Sequence, residues 1–178
     1  MVGRIVKFDA VALIFRMVAP LVVCAAGASA SLAAGAGCDA DKWPLSTAQA
    51  HFGGTLPTLA SGDSLPALGA PALVNLSAQG DVAFLHAPGR AGKANPAYAA
   101  LVKLGAQPAG AYQVTVSGGA WVDLVENADL VKPTGYFRVK DCPGIDKSLR
   151  FKTKGGPLTI QISGSYDKTI KVEAARAE

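Results

Sequence analysis

Reactive and charged side chains are scarce in this 178-residue chain. It has two His, three Cys and two Met, and 17% of its residues are charged against roughly 25% in an average soluble domain. With half the residues apolar, so little charge excludes a disordered chain and a coiled coil. A jelly-roll metal site of the cupin kind needs several His plus a carboxylate converging from adjacent strands. His51 and His86 make an incomplete set, so neither a metal nor a cofactor is expected. There is no G-x-S-x-G, no phosphate-cradling G-x-x-x-x-G-K-[ST] and no D-x-[DN]-x-[DN]-G calcium loop, which removes the signatures of three large enzyme and binding classes. Ser165-Tyr166-Asp167-Lys168 matches S-x-x-K, but it falls in an expected hairpin, whereas that motif needs a helix to bring Lys one turn from Ser. Asp123 and Glu126 are three apart in an expected strand, so they point to opposite faces and cannot act as a glycosidase pair. No catalytic residue is assigned.

Charge is also missing from Met17 to Gly37, while Arg4, Lys7 and Arg16 precede that stretch. This is the layout of a secretory leader: a basic start, an apolar run around Met17 to Ala26, then small residues ending in A-x-A. Cleavage fits after Ala30 or after Ala36, and residues 1–36 are taken as the leader. Two rivals stay open. One is an uncleaved anchor, since 21 uncharged residues just suffice to span a bilayer. The other is lipidation of Cys38. Membrane contact is expected only in those two cases.

Removal of residues 1–36 takes three of the 17 basic and one of the 13 acidic residues, leaving 14 against 12 and a net charge of +2. Bulk basicity then belongs largely to the leader, and nucleic acid is not an expected partner. Cys24 goes with the leader, and Cys38 and Cys142 remain as an even pair, expected to be joined in an oxidising compartment. Such a bond would close a loop of about 100 residues and stabilise by roughly 4 to 5 kcal/mol in the chain-entropy model. The expected location is periplasmic or secreted.

Along the mature chain the dominant signal is period-two alternation in short runs separated by Gly, Pro, Asn and Asp, a β pattern. Candidate strands are Ala72–Leu76, Val82–His86, Tyr98–Leu104, Ala111–Ser117, Ala120–Glu126, Tyr136–Lys140, Ser148–Thr153, Leu158–Ser163 and Thr169–Glu173. In the last three, Leu149, Phe151, Leu158, Ile160, Ile162, Ile170 and Val172 alternate with Arg150, Lys152, Thr159, Gln161 and Lys171, which implies one core face and one wet face. The expectation is an all-β chain: a single jelly-roll-like β-sandwich of about eight or nine strands over 72–178. Segment 37–71 packs with it as one domain. It carries one short helix around Trp43–Phe52, in which Ser46 caps and Gln49 completes a capping box, followed by an irregular lead-in over 53–71. Residues 87–97 form a basic loop, and loops on rigid sheets are where binding residues gather.

What remains for function is surface. Trp121 shares a strand face with Asp123 and Val125, so it either fills the core or stands outside. In the second case, with Tyr112, Tyr136 or Tyr166 near, it suits stacking on sugar rings. A basic set, Arg138, Lys140, Lys147, Arg150, Lys152 and Lys154, has even-numbered members expected on one strand face. Such a stripe suits an anionic polysaccharide, lipid headgroups or an acidic partner. The candidate ligand-binding residues are therefore Trp121, Tyr136, Arg138, Lys140, Arg150 and Lys152. The first function class is a non-catalytic periplasmic module for carbohydrate or an envelope glycan. The second is a structural or accessory protein that binds a periplasmic partner through an open sheet edge, and an enzyme of unrecognised type comes third.

Several stretches also carry a resemblance: Cys38-Asp39 with Trp43-Pro44-Leu45, Ala109 to Ser117, Ala120-Trp121-Val122-Asp123, Asp141-Cys142-Pro143-Gly144 with Lys147-Ser148, and Leu158 to Gly164. Through most of the mature chain they look like a group of small exported alphaproteobacterial proteins without an established function. More loosely, the chain is similar to pre-peptidase C-terminal β-sandwich domains, accessory modules of secreted enzymes. The resemblance implies that both cysteines belong to one framework, and it brings no catalytic residues with it. Oxygenase-like names borne by some members would require iron ligands that this chain lacks.

Overall fold

The computed structural model describes residues 36–40, 42–90 and 93–177. The expected leader up to residue 35, including Cys24 and the first cleavage position, lies outside them. Eleven strands are present among the described residues: β1 (Thr58–Leu59), β2 (Ala72–Asn75), β3 (Ser77–Ala78), β4 (Tyr98–Gln107), β5 (Gly110–Val116), β6 (Trp121–Glu126), β7 (Asp129–Val131), β8 (Pro133–Arg138), β9 (Lys147–Thr153), β10 (Gly156–Ser165) and β11 (Thr169–Arg176). Sheet A has the order β1-β2-β11-β5-β9-β8, and sheet B the order β3-β4-β10-β6-β7. Every ladder is antiparallel except β1 on β2. The chain is thus the all-β sandwich its alternation implied.

Alternation explains the core. Val102, Leu104, Val122, Leu124, Leu158, Ile160 and Ile162 from sheet B meet Val74, Tyr112, Val114, Leu149, Phe151, Ile170 and Val172 from sheet A in one buried cluster. Each such side chain contributes on the order of 1.5 to 3 kcal/mol on burial. Tyr112 is fully buried here, its hydroxyl donating to Pro108 O at 2.6 Å. That removes it from the aromatics available to a ligand.

The outer faces are not the wet surfaces that alternation suggested. Outward-facing Thr115, Ser148 and Glu173 on sheet A and Gln161 and Ser163 on sheet B are all buried, because each sheet carries a cover. Over sheet A lies a pad built from residues 37–40 and 42–52, whose helix α1 spans Ser46–Phe52. Cys38, Trp43, Leu45, Ala48 and Phe52 pack there against Phe137, Val139, Cys142 and Ile145 in a second apolar cluster. Cys38 and Cys142 are disulfide-bonded, Sγ to Sγ 2.05 Å, across 104 residues, so the Cys38 sulfur has no valence left for a lipid. Trp43 Nε1 donates to Ser148 Oγ at 2.9 Å, and His51 Nδ1 meets Glu173 Oε2 at 2.9 Å.

Four local expectations are corrected. Ser46 does not cap α1: Leu45 holds the cap position without a side-chain bond, and Asp39 Oδ1 reaches in to accept from the Leu45 and Ser46 N–H groups, both at 3.0 Å. Val82–His86 is not a strand, because a side chain rather than a neighbouring strand satisfies its backbone, as described below. The lead-in 53–71 is not wholly irregular, since it contributes β1 and a parallel bridge from Ser64 to Lys103. Finally, β3 and β7 are strands of two and three residues, too short for alternation to reveal. No helix among the described residues is long and apolar enough to cross a membrane.

Candidate functional site

Strand β6 lies between β10 and the edge strand β7 of sheet B, paired to β10 with Trp121 opposite Ser163, Asp123 opposite Gln161 and Val125 opposite Thr159. Val122 and Leu124 point into the sandwich, so Trp121 and Asp123 stand on the outer face. Trp121 is 37% exposed. Its indole Nε1 donates to Asp123 Oδ1 at 2.8 Å, and Asp123 Oδ2 accepts from the Gly89 N–H at 3.0 Å. Both ring and carboxylate are thereby fixed. A Cβ at Gly89 would lie 3.0 Å from Asp123 Oδ1 and 3.1 Å from Trp121 Nε1, so a larger residue here would have to push the pair aside by a few tenths of an ångström.

Gly89 ends a strap, residues 79–90, laid across this face. Its side chains alternate between exposed (Asp81, Ala83, Leu85, Ala87) and half-buried (Val82, Phe84, His86, Pro88), which is why the sequence looks like a strand. Its ladder partner is one side chain. Gln161, 1% exposed, accepts from the Leu85 and His86 N–H groups at 2.8 and 3.1 Å through Oε1, and its Nε2 donates to His86 O at 3.2 Å. Gln79 Oε1 accepts from Gly164 N–H at 2.7 Å, and the His86 ring bonds Ala128 O at the far turn. Beneath, Ser163 Oγ is buried with no hydrogen-bond partner among the described residues.

The candidate basic stripe is split by strand geometry. Directly opposed residues share a face, so Arg138, opposite Lys147, lies on the other side of sheet A from Arg150 and Lys152. Arg138 Nε lies 3.3 Å from Asp146 Oδ1 and Lys147 Nζ 3.6 Å from Asp146 Oδ2, while Lys147 also donates to Ala120 O. Burial pushes the Lys147 pKa below its ordinary value, against the pull of Asp146. Arg150 is spent inside the pad, its guanidinium 4.6 Å from the Trp43 ring centroid and its Nε bonded to Gln113 Oε1. Tyr136, 65% exposed, sits on edge strand β8 with its carbonyl taken by Lys42 Nζ. Lys140 is exposed just beyond β8. Of the six candidates, only Trp121 belongs to the outer face of sheet B, and the six do not form one site.

The remaining candidates resolve simply. Lys168 of the S-x-x-K match lies over the Tyr98 ring, and Ser165 Oγ closes its own turn with Asp167. Tyr166 is exposed in that turn. Among the described residues no group of His, Cys, Asp and Glu is arranged to hold a metal. Sequence reasoning missed Gln161, Ser163 and Gly89. The first two sit among isoleucines where a polar residue reads as solvent-facing, and in the fold both are buried, Gln161 under the strap it bonds.

No protein-family model, curated protein or solved structure matches the chain.

Proposed function

We propose that this is an exported, non-catalytic binding domain of the periplasm or the extracellular medium, and that it takes a carbohydrate, such as a cell-envelope glycan, on the outer face of sheet B. The observation that carries this reading is the fixed pair of Trp121 and Asp123. An indole held in one orientation offers an apolar plane for the C–H face of a sugar ring. The adjacent carboxylate keeps free lone pairs for hydroxyl donors, and little side-chain entropy is lost on binding. The Cys38–Cys142 bond supports export, since such bonds persist in oxidising compartments.

Tryptophan emission tests the reading directly. Trp43 is buried against Phe137, so a ligand-induced change reports Trp121. Titration with chitohexaose and with soluble muropeptide fragments is expected to shift the emission saturably, and Trp121→Ala to weaken binding at least tenfold without loss of the fold. If no glycan of a broad array binds above background, and a periplasmic pull-down returns one stoichiometric protein instead, the carbohydrate reading is overturned in favour of an accessory protein role.

A further inference from the structure

At the opposite end of β6 from Trp121, a hairpin turn meets a tight turn that carries the chain from sheet A to sheet B. Asn127 and Ala128 form the β6–β7 turn with φ of 49° and 73°, both left-handed, as a two-residue type I′ hairpin requires. Lys154 and Gly155 form the β9–β10 turn. Asn127 Nδ2 donates to Gly155 O at 3.3 Å, and a Cβ at Gly156 would lie 2.6 Å from Asn127 Oδ1, so the two turns are braced in contact. Between them opens a pocket of about 350 Å³ whose lining includes Glu126, Asp129, Lys132, Lys152 and Lys154.

Its charge is unbalanced in a specific way. Glu126 is 8% exposed, and both its carboxylate oxygens are occupied: Oε1 by the Lys154 and Gly155 N–H groups at 2.8 and 2.7 Å, Oε2 by Lys154 N–H at 3.1 Å. This carboxylate is therefore committed to the turn. The salt bridges found among the described residues involve His51, Arg138 and Lys147, leaving the exposed ammonium groups of Lys132, Lys152 and Lys154 without an ionic partner there. Asp129 and Glu126, whose N–H bonds leave its negative charge in place, oppose them, so the lining keeps an excess of one positive charge.

We infer that this pocket is a second binding site, for a phosphoryl group. Three lysines line a pocket with a braced backbone wall, and a compact ammonium is a point-charge partner for phosphate. Two carboxylates against three ammonium groups leave the lining net positive, which favours an anion over a neutral ligand. The volume suffices for a phosphate with part of the molecule bearing it, being near the lower end of small-molecule sites. Two of the lysines come from the stripe read in the sequence. Lys132 joins them only through the β7–β8 connection, and the site uses nothing of the Trp121 face.

The test is a titration of the oxidised protein with inorganic pyrophosphate at low ionic strength, followed by amide chemical shifts. Saturable shifts are expected at residues 127–132 and 152–155, weakening as salt rises. The exposed Lys132→Ser/Lys152→Ser/Lys154→Ser variant should fold normally and lose at least tenfold in affinity, with Trp121→Ala unchanged. Replacing the three by Arg should preserve binding. Cosedimentation with phosphatidylglycerol vesicles but not with phosphatidylcholine vesicles, abolished in the triple Ser variant, assigns the phosphoryl group to a lipid headgroup. Pyrophosphate binding without cosedimentation assigns it to a soluble ligand. Shifts that stay linear with concentration, or that survive in the triple Ser variant, overturn the site.

Discussion

The outer face of sheet A lies under an apolar pad that a disulfide holds down, whereas the outer face of sheet B lies under a strap held by a glutamine amide and a carboxylate. The pad buries Trp43, Leu45 and Phe52, each worth about 1.5 to 3 kcal/mol, in addition to the covalent link. The strap leaves Leu85 exposed and is held by polar bonds, those of Gln161 and Asp123 to its backbone, of Gln79 to Gly164 and of the His86 ring to Ala128 O, each worth about 1 kcal/mol net. When the strap lifts, its N–H groups pass to water at little cost, while a lifted pad would expose an apolar cluster. The two covers therefore differ in how readily they open. The face that opens readily is the one that carries Trp121, Asp123 and the orphaned Ser163 hydroxyl.

The largest way to break this comparison is at the disulfide. Cys38→Ser/Cys142→Ser should lose on the order of 4 to 5 kcal/mol in the chain-entropy model, measured by urea unfolding, with Trp43 emission shifting red and Trp121 unaffected under native conditions. A smaller effect is expected at the strap. Gln161→Leu removes the partner of two N–H groups and one carbonyl, at about 1 to 3 kcal/mol if they stay buried. Loss of exchange protection should be confined to residues 82–90, and spread to the pad would refute the independence of the two covers.

The smallest effect is a pH dependence at the pad. The Ser46 N–H bond chiefly, with that of Leu45, holds the Asp39 carboxyl below its ordinary value. A carboxyl whose folded value is depressed contributes stability that is present above the unfolded pKa, about 3.9, and is lost as pH falls through the folded value. Thermal unfolding should show that acid loss in the wild type and a shallower one in Asp39→Asn. An unchanged acid limb in the variant would show that Asp39 does not act as the external cap of α1.

Most of the sandwich was legible because β4, β5, β6, β9, β10 and β11 are long enough for their alternation to stand out from noise. The Cys38–Cys142 pairing was legible from arithmetic alone. The candidate site was legible only at Trp121, whose neighbours on the strand place it on a face without saying which face. Arg138 and Arg150 have the same parity but sit on opposite faces, because the chain reverses between β8 and β9 and pairing resets the phase. Covers on both sheets were hidden for a related reason: Gln161 and Ser148 become buried through contacts 75 and 105 residues away, and no local window contains those partners.

Amide hydrogen exchange under oxidising and reducing conditions tests the difference between the covers most directly. In the oxidised protein the Leu85, His86 and Gly89 amides should exchange through local opening, orders of magnitude faster than Leu45, Ser46 and Gln49. Reduction should bring the pad amides up toward the strap's rate and leave the strap's rate where it was. If strap and pad exchange together in the oxidised protein, at the rate of global unfolding, the strap is not an independently opening cover and the account is contradicted.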